Sequence, residues 1–352
     1  MDGTALIYSH GLLHTVHAKT SHGLIRGSDR YRILGAVDPA NAGRDAGEVL
    51  DGRRRDLPVF ASLQEAAAQG CRPDFLIIGI ASAGGRLDPE WMPAIREALQ
   101  AGISVVCGMH EFLSDQPELA ALAAASGARL VDVRKPKPRT ELHFWTGEIL
   151  SISTPVIALL GTDCAIGKRT AARMLTEACR AAGIRSEMIF TGQTGWMQGG
   201  RYGFVLDSTP NDFVSGELEH AIVSCCREQQ PDVIFLEGQA ALRNPSGPCG
   251  SEYLVSGGAR HAILVHAPAR TYYKGWEHLD LRIPPVSSEI ELIRRYGAEV
   301  IGLALNTQKL DWAAAEHWQA QLQSELGLPV ALPVEAGVEP LVEAVRALLS
   351  AR

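Results

Sequence analysis

An apolar run, Val156-Ile157-Ala158-Leu159-Leu160, passes directly into Gly161-Thr162-Asp163-Cys164-Ala165-Ile166-Gly167-Lys168-Arg169-Thr170 and then into Ala171-Ala172-Arg173-Met174-Leu175. The order is buried strand, glycine-bounded loop, helix, which commits this half of the chain to a parallel α/β sheet with a ligand edge. The backbone N–H groups of a loop running through Gly161, Thr162, Cys164, Ala165, Ile166 and Gly167, with the helix N-terminus behind them, can surround a pyrophosphate. Lys168 adds a mobile cation. A tight turn with its lysine in water is the plain alternative; strand, Gly-Lys and helix in succession favour the phosphate loop.

Two departures from G-x-x-x-x-G-K-[ST] shape the expected ligand. Five residues rather than four separate Gly161 from Gly167, as in the loop of dethiobiotin synthetase. Arg169 stands where a Ser or Thr hydroxyl normally ligates the Mg²⁺ that bridges nucleotide phosphates, and an arginine cannot ligate a cation. Thr170 lies one residue further, about 100° round the helix. The magnesium site is impaired, and no metal is expected. Lys168 and Arg169 instead offer two positive charges to a phosphorylated ligand that stays intact, and coenzyme A is such a ligand.

With 352 residues, two domains are the first expectation. Before Val133, short β-branched or aliphatic runs alternate with helical patterns: Thr4 to Tyr8, Tyr31 to Val37, Pro58 to Ala61, Phe75 to Ile80, Ile103 to Cys107 and Ala128 to Val133 as strands, with helices at Gln64 to Ala68, Met92 to Ala101 and Pro117 to Ser126. This predicts a Rossmann-like sheet of about six strands. The proline-rich, basic stretch Arg134 to Arg139 reads as a linker, and a second α/β series follows: Pro155 to Leu160, Ser186 to Thr191, Val233 to Glu237, Ala262 to Val265, Glu299 to Leu305 and Pro329 to Leu332. The fold class is therefore α/β, two doubly wound domains, with a Rossmann-like N-terminal domain over 1–138 and a P-loop NTPase-like C-terminal domain over 139–352. A hydrophobic content of 46% with 21% charged residues excludes a disordered chain. No apolar run approaches the about 20 residues of a bilayer span, and the first twenty residues carry no signal-peptide pattern. A net charge of -7 disfavours nucleic acid and anionic lipid as partners. Seven cysteines without a C-x-x-C fit neither a disulfide framework nor a zinc site.

Beyond the loop, Thr191-Gly192-Gln193-Thr194-Gly195, Asp212-Phe213-Val214-Ser215-Gly216 and Leu236-Glu237-Gly238-Gln239 follow in order, and the chain resembles the DUF1611 family in all of these segments. Gly43 to Gly52, Ala83 to Leu87, Gly108 to Leu113 and Val131 to Pro136 are similar to the Rossmann-like domain of that family. The resemblance runs from about Tyr31 to Lys274. It implies a Rossmann-like domain followed by a P-loop domain, and N-acetylation of D-glutamate with acetyl-CoA as co-substrate. Where many members read E-G-Q-G-S-L and then His-Pro, this chain has Glu237-Gly238-Gln239-Ala240-Ala241-Leu242-Arg243-Asn244-Pro245, which leaves the acceptor open.

Individual residues follow from their places. Glu237 ends an apolar strand beside the loop, where a carboxylate either takes the proton from an attacking amine or merely fixes the loop. Asp163 would repel phosphate if turned inward, so a backbone cap or an outward role toward the amine is expected; Asp212 is the further candidate acid. Gln193, Thr194 and Gln239 offer neutral donors to a carboxylate or thioester oxygen, and Arg243, Asn244 and Ser246 either bind an anionic acceptor or are solvated loop residues. Asn306, at a late strand end, suits a nucleotide. Cys164 sits near a helix N-terminus and Lys168, where thiol pKa falls; a packing role is favoured over an acyl relay. Asp38 ends the second strand as a ribose-binding acid would, but no G-x-G-x-x-G follows the first, and NAD binding is not expected.

The expectation is thus a cytoplasmic enzyme, a homo-oligomer, that transfers an acyl group from acetyl-CoA to the amine of a small amino acid. The alternatives are an ATP- and Mg²⁺-dependent ligase or kinase resembling dethiobiotin synthetase, and a nucleotide-binding module without catalysis.

Overall fold

The short aliphatic runs of the first half pair into one parallel sheet, β1 (Gly3–Tyr8), β2 (Tyr31–Val37), β3 (Val59–Phe60), β4 (Phe75–Ile78), β5 (Ser104–Cys107) and β6 (Leu130–Asp132), in the order β3-β2-β1-β4-β5-β6. This is the doubly wound order whose direction reverses between β1 and β4. The computed structural model describes residues 1–81 and 83–351; Ser82 and Arg352, with which the expected second domain ends, lie outside the described residues. The helices begin and end where local chemistry requires. Asp45 Oδ1 accepts from Gly47 N and Glu48 N at the start of Ala46–Asp51, and Pro117 opens Pro117–Ser126. The helices Lys19–Arg26 and Ala46–Asp51 are additions to the sequence reading.

Asp38 is fully buried, and its carboxylate accepts from Leu13 N at 2.8 Å, Asn41 N at 3.1 Å and Asn41 Nδ2 at 2.9 Å. An acid at that strand end ordinarily meets a ribose; here it closes its own β1 loop.

The second sheet has seven parallel strands: β7 (Val156–Gly161), β8 (Ser186–Phe190), β9 (Tyr202–Gly203), β10 (Val233–Leu236), β11 (His261–His266), β12 (Glu299–Leu305) and β13 (Val330–Ala331). Their order is β13-β12-β11-β7-β10-β8-β9. Sequence reading missed β9, whose two residues are too few to show a period. One face packs Ile157, Leu159, Phe235 and Val265 against Ala172 and Leu175 of the helix Lys168–Ala181, and the other packs Ala158, Leu160, Ile234 and Leu236 against Leu218 and Ile222 of Asn211–Gln229. A strand buried on both faces reads as a continuous apolar run, as β7 does.

The chain forms two compact units. One is Met1–Lys137 with Gln193–Gly200, the other Pro138–Gly192 with Arg201–Arg352. In the linker, Arg134 is buried and donates to Gly108 O, whereas residues 135–140 are exposed. No helix among the described residues is long and apolar enough to cross a membrane.

Candidate functional site

β7 lies between β10 and β11, with Ala158 opposite Leu236 and Gly161 opposite Val265. Three strands therefore deliver their carboxyl ends side by side: the glycine-bounded loop from β7, Glu237 from β10 and His266 from β11. Ligands of open α/β sheets bind at such an edge. Gly167 has φ +95° and precedes the helix Lys168–Ala181, so it makes the left-handed step that turns the loop into the helix. Ala165 takes φ +49° within the loop, a conformation uncommon for a residue with a Cβ. Gly238 is required by space: an added Cβ would stand 1.8 Å from Leu159 O and 2.9 Å from Lys168 Cδ.

Asp163 is completely buried and ties three segments together. Its Oδ1 accepts from Cys164 N at 2.7 Å and from Asn244 Nδ2 at 2.9 Å, while Oδ2 accepts from Arg270 Nη1 at 2.8 Å and Lys274 N at 2.9 Å. A carboxylate offers about four lone-pair sites, and all four are taken. Asp163 caps and pins the loop; it has no position left for an amine proton. Asn244, itself buried, accepts from Ser246 N and Ser246 Oγ through Oδ1, so this pair builds the loop wall. Arg243 turns the other way, donating to Glu289 Oε2 at 2.8 Å and Ser288 Oγ at 2.9 Å.

Lys168 is 5% exposed, and its Nζ donates to Asp163 O at 2.5 Å. Burial lowers its pKa to about 8. Glu237 is 3% exposed. Its Oε2 accepts from Thr191 N at 3.0 Å, and its main-chain oxygen accepts from Thr191 Oγ1 at 2.6 Å. Burial pushes the Glu237 carboxyl up, against the opposing pull of Arg169, the N–H groups of Thr191 and Gly192, and Lys168. Unlike Asp163, Glu237 keeps acceptor capacity beyond the bonds that fix it. Gln239 Nε2 donates to Thr191 Oγ1 at 2.8 Å, bracing the same corner. Asn306 Nδ2 donates to Ile166 O at 3.0 Å and supports the loop from the end of β12. Thr162 Oγ1 shares a 2.9 Å hydrogen bond with His266 Nδ1, whose ring burial drives to a pKa of about 4.

The Cys164 thiol corrects an expectation: burial and the neighbouring Asp163 raise its pKa, overriding Lys168. Asp212 stands exposed on the first turn of Asn211–Gln229, outside this set. Gln193 and Thr194 belong to the first unit, where Thr194 Oγ1 and Thr20 Oγ1 share a 2.9 Å hydrogen bond and the Gln193 side chain lies on Gly108. Arg270, Lys274 and His266 escaped sequence reading. Arg270 also donates to Cys164 O at 2.7 Å, so it grips the loop at Asp163 and at the residue that follows. Their signal would have been a strand end beside β7, which requires knowing that β11 is its neighbour.

The arrangement gathers Lys168, Arg169, Arg270 and Lys274 around two buried carboxylates, a site suited to polyanionic ligands. Comparison with known proteins agrees in both units. Residues 143–342 match the domain of unknown function described as the DUF1611_C P-loop domain, and residues 39–136 the DUF1611_N Rossmann-like domain. A protein from Tritonibacter scottomollicae named D-glutamate N-acetyltransferase is 32% identical over 82% of this chain and 85% of its own. One of the same name from a Pseudoalteromonas species is 30% identical over 80% and 83%. The crystal structure of a DUF1611 family protein from Anabaena variabilis superposes with a TM-score of 0.89 at 31% identity, covering 98% of this chain and 99% of that one. With a P-loop in one unit, a Rossmann-like sheet in the other and relatives alike over most of their length, the chain belongs to the DUF1611 family.

Proposed function

We propose that the protein is an acyl-CoA-dependent N-acyltransferase, with acetyl-CoA held on the P-loop and the amine of D-glutamate or a related amino acid as acceptor. The observation that carries this reading is the buried Glu237 carboxylate, with acceptor capacity remaining, at a strand end beside a loop that presents Lys168-Arg169 instead of lysine and a hydroxyl. The names of the two relatives at 32% and 30% identity support it.

The amine nitrogen attacks the thioester carbonyl carbon, a C–N bond forms, and Glu237 takes the amine proton. The tetrahedral oxyanion draws on fixed N–H donors of the site. The C–S bond then breaks, and the thiolate leaves with the proton that Glu237 returns. Burial serves this role by making the carboxylate a stronger base than an exposed glutamate, with Arg169 and Lys168 opposing that rise.

Acetyl transfer to D-glutamate, followed by release of free CoA thiol, tests the reading beside direct titration of acetyl-CoA. Glu237→Gln keeps shape and hydrogen bonding but cannot accept the proton, so kcat falls by about 10²–10⁴ with little change in CoA affinity. Full turnover in that variant removes Glu237 from the chemistry. The five-residue loop spacing also favours an ATP-dependent ligase or kinase; turnover that requires ATP with Mg²⁺ and none with acetyl-CoA selects it.

A further inference from the structure

We propose that the Arg169 guanidinium stands in for the magnesium ion that a phosphate loop ordinarily recruits, so that this site binds a pyrophosphate-bearing ligand without a divalent cation. The inference rests on the phosphate-loop reading of the site and not on acyl transfer.

In a P-loop nucleotidase the cation lies between the hydroxyl that follows the loop lysine, a carboxylate on a strand end, and the phosphate oxygens. Here the carboxylate is present as Glu237 at the end of β10 and the hydroxyl is replaced by Arg169. The two parts abut. Gly238, directly after Glu237, is pressed so closely on the start of the helix that a Cβ there would lie 2.9 Å from Lys168 Cδ. Glu237 is buried and needs a counter-charge to remain ionised; among its neighbours Arg169 opposes the effect of burial most strongly, ahead of Lys168. A guanidinium carries five N–H donors in a plane and no acceptor, so it can face a carboxylate and a phosphate at once.

The donor set does not suit magnesium. Lys168 is a cation already bonded to Asp163 O, and Arg169 is a second cation. The Asp163 carboxylate is saturated by four donors, and Thr170 points about 100° round the helix. An incoming ion would meet a positive charge where it expects an oxygen. Such a ligand keeps its phosphates: the site neutralises them for binding without the metal that activates them for transfer.

Titration calorimetry of the full chain with acetyl-CoA and with inorganic pyrophosphate, each in EDTA and in millimolar Mg²⁺, tests this. The wild type is expected to bind both probes in EDTA, and Mg²⁺ is not expected to tighten either. Arg169→Thr, which restores the hydroxyl, should lose about 10- to 100-fold in affinity in EDTA and recover part of it when Mg²⁺ is added. Arg169→Lys, which keeps the charge but not the planar fork, should fall between the two. A wild type that binds only with Mg²⁺, or an Arg169→Thr variant with undiminished affinity in EDTA, overturns the assignment. Pyrophosphate binding that follows the expected pattern while acetyl-CoA fails to bind would sink the acyltransferase reading and leave Arg169 in its role; acetyl transfer that requires Mg²⁺ for CoA binding would do the reverse.

Discussion

Replacing Asp163 separates a residue that holds the site from one that performs its chemistry. Asp163→Ala removes one acceptor from each of Cys164 N, Asn244 Nδ2, Arg270 Nη1 and Lys274 N. Breaking a buried ion pair by deleting one partner costs about 3–5 kcal/mol. The Arg270 side chain is 21% exposed and regains some water, which places the loss near the lower end, about 3 kcal/mol. For a unit of about 200 residues, each kcal/mol lowers Tm by about 2–4 °C, so the transition of the P-loop unit should fall by about 6–12 °C. Asp163→Asn, which keeps one oxygen but turns an N–H toward donors, should lie between the variant and the wild type. Differential scanning calorimetry reads the shift, and acetyl-CoA titration should show affinity falling in parallel as the loop loosens. A variant that melts within about 2 °C of wild type yet loses turnover at unchanged CoA affinity would refute this account and return Asp163 to the chemistry.

Other expectations follow from individual contacts. Lys168 has a folded pKa of about 8 against an ordinary 10.5, so the folded chain releases that proton before the unfolded chain does. Ligand-free stability should therefore rise from about pH 8 toward 10.5, while acetyl-CoA affinity falls as the ammonium is lost; a flat affinity between about pH 7 and 9.5 contradicts it. Gly238→Ala forces a Cβ against Leu159 O, a main-chain atom that cannot swing aside, and should cost about 1–3 kcal/mol or more in urea unfolding along with CoA binding. An unchanged midpoint would mean that the strand ends yield enough to admit a methyl group. Cys164→Ala should retain most turnover, and the wild-type thiol should react slowly with maleimide at neutral pH, because burial holds it protonated. Abolished turnover in that variant would instead support an acyl relay through the thiol.

The features readable from sequence are the local ones. Val156 through Leu175 forms its strand, loop and helix from neighbours in the chain, and the resemblance to DUF1611 rests on similarly short segments. Pro117–Ser126 appears with its expected bounds because proline and glycine punctuate both ends. What escaped was set by pairing at a distance. Nothing near Arg270 or Lys274 announces that β11 lies beside β7, so their grip on Asp163, more than 100 residues away, was invisible. Arg243 looks like an anion binder by type, yet Glu289 and Ser288, some 45 residues on, hold it. Asp163 and Glu237 could be placed at the edge of the sheet, but only their hydrogen bonds distinguish a saturated carboxylate from one with capacity remaining.

The short segment Gln193–Gly200 gives the chain an order of assembly. Met197 is fully buried in the Rossmann-like core, Gln198 Nε2 donates to Gly23 O and Gly27 O, and Arg30 Nε donates to Trp196 O. Those partners are made early, yet they are completed by residues that leave the ribosome about 60 positions after Lys137, a delay of about 3–12 s at ordinary rates of synthesis. The N-terminal sheet must wait, partly unfinished, while the phosphate loop and its helix are translated. A chain cut at the linker would sever the first unit from a piece of its own core, so the N-terminal piece alone cannot complete its fold and must be supplied with Gln193–Gly200.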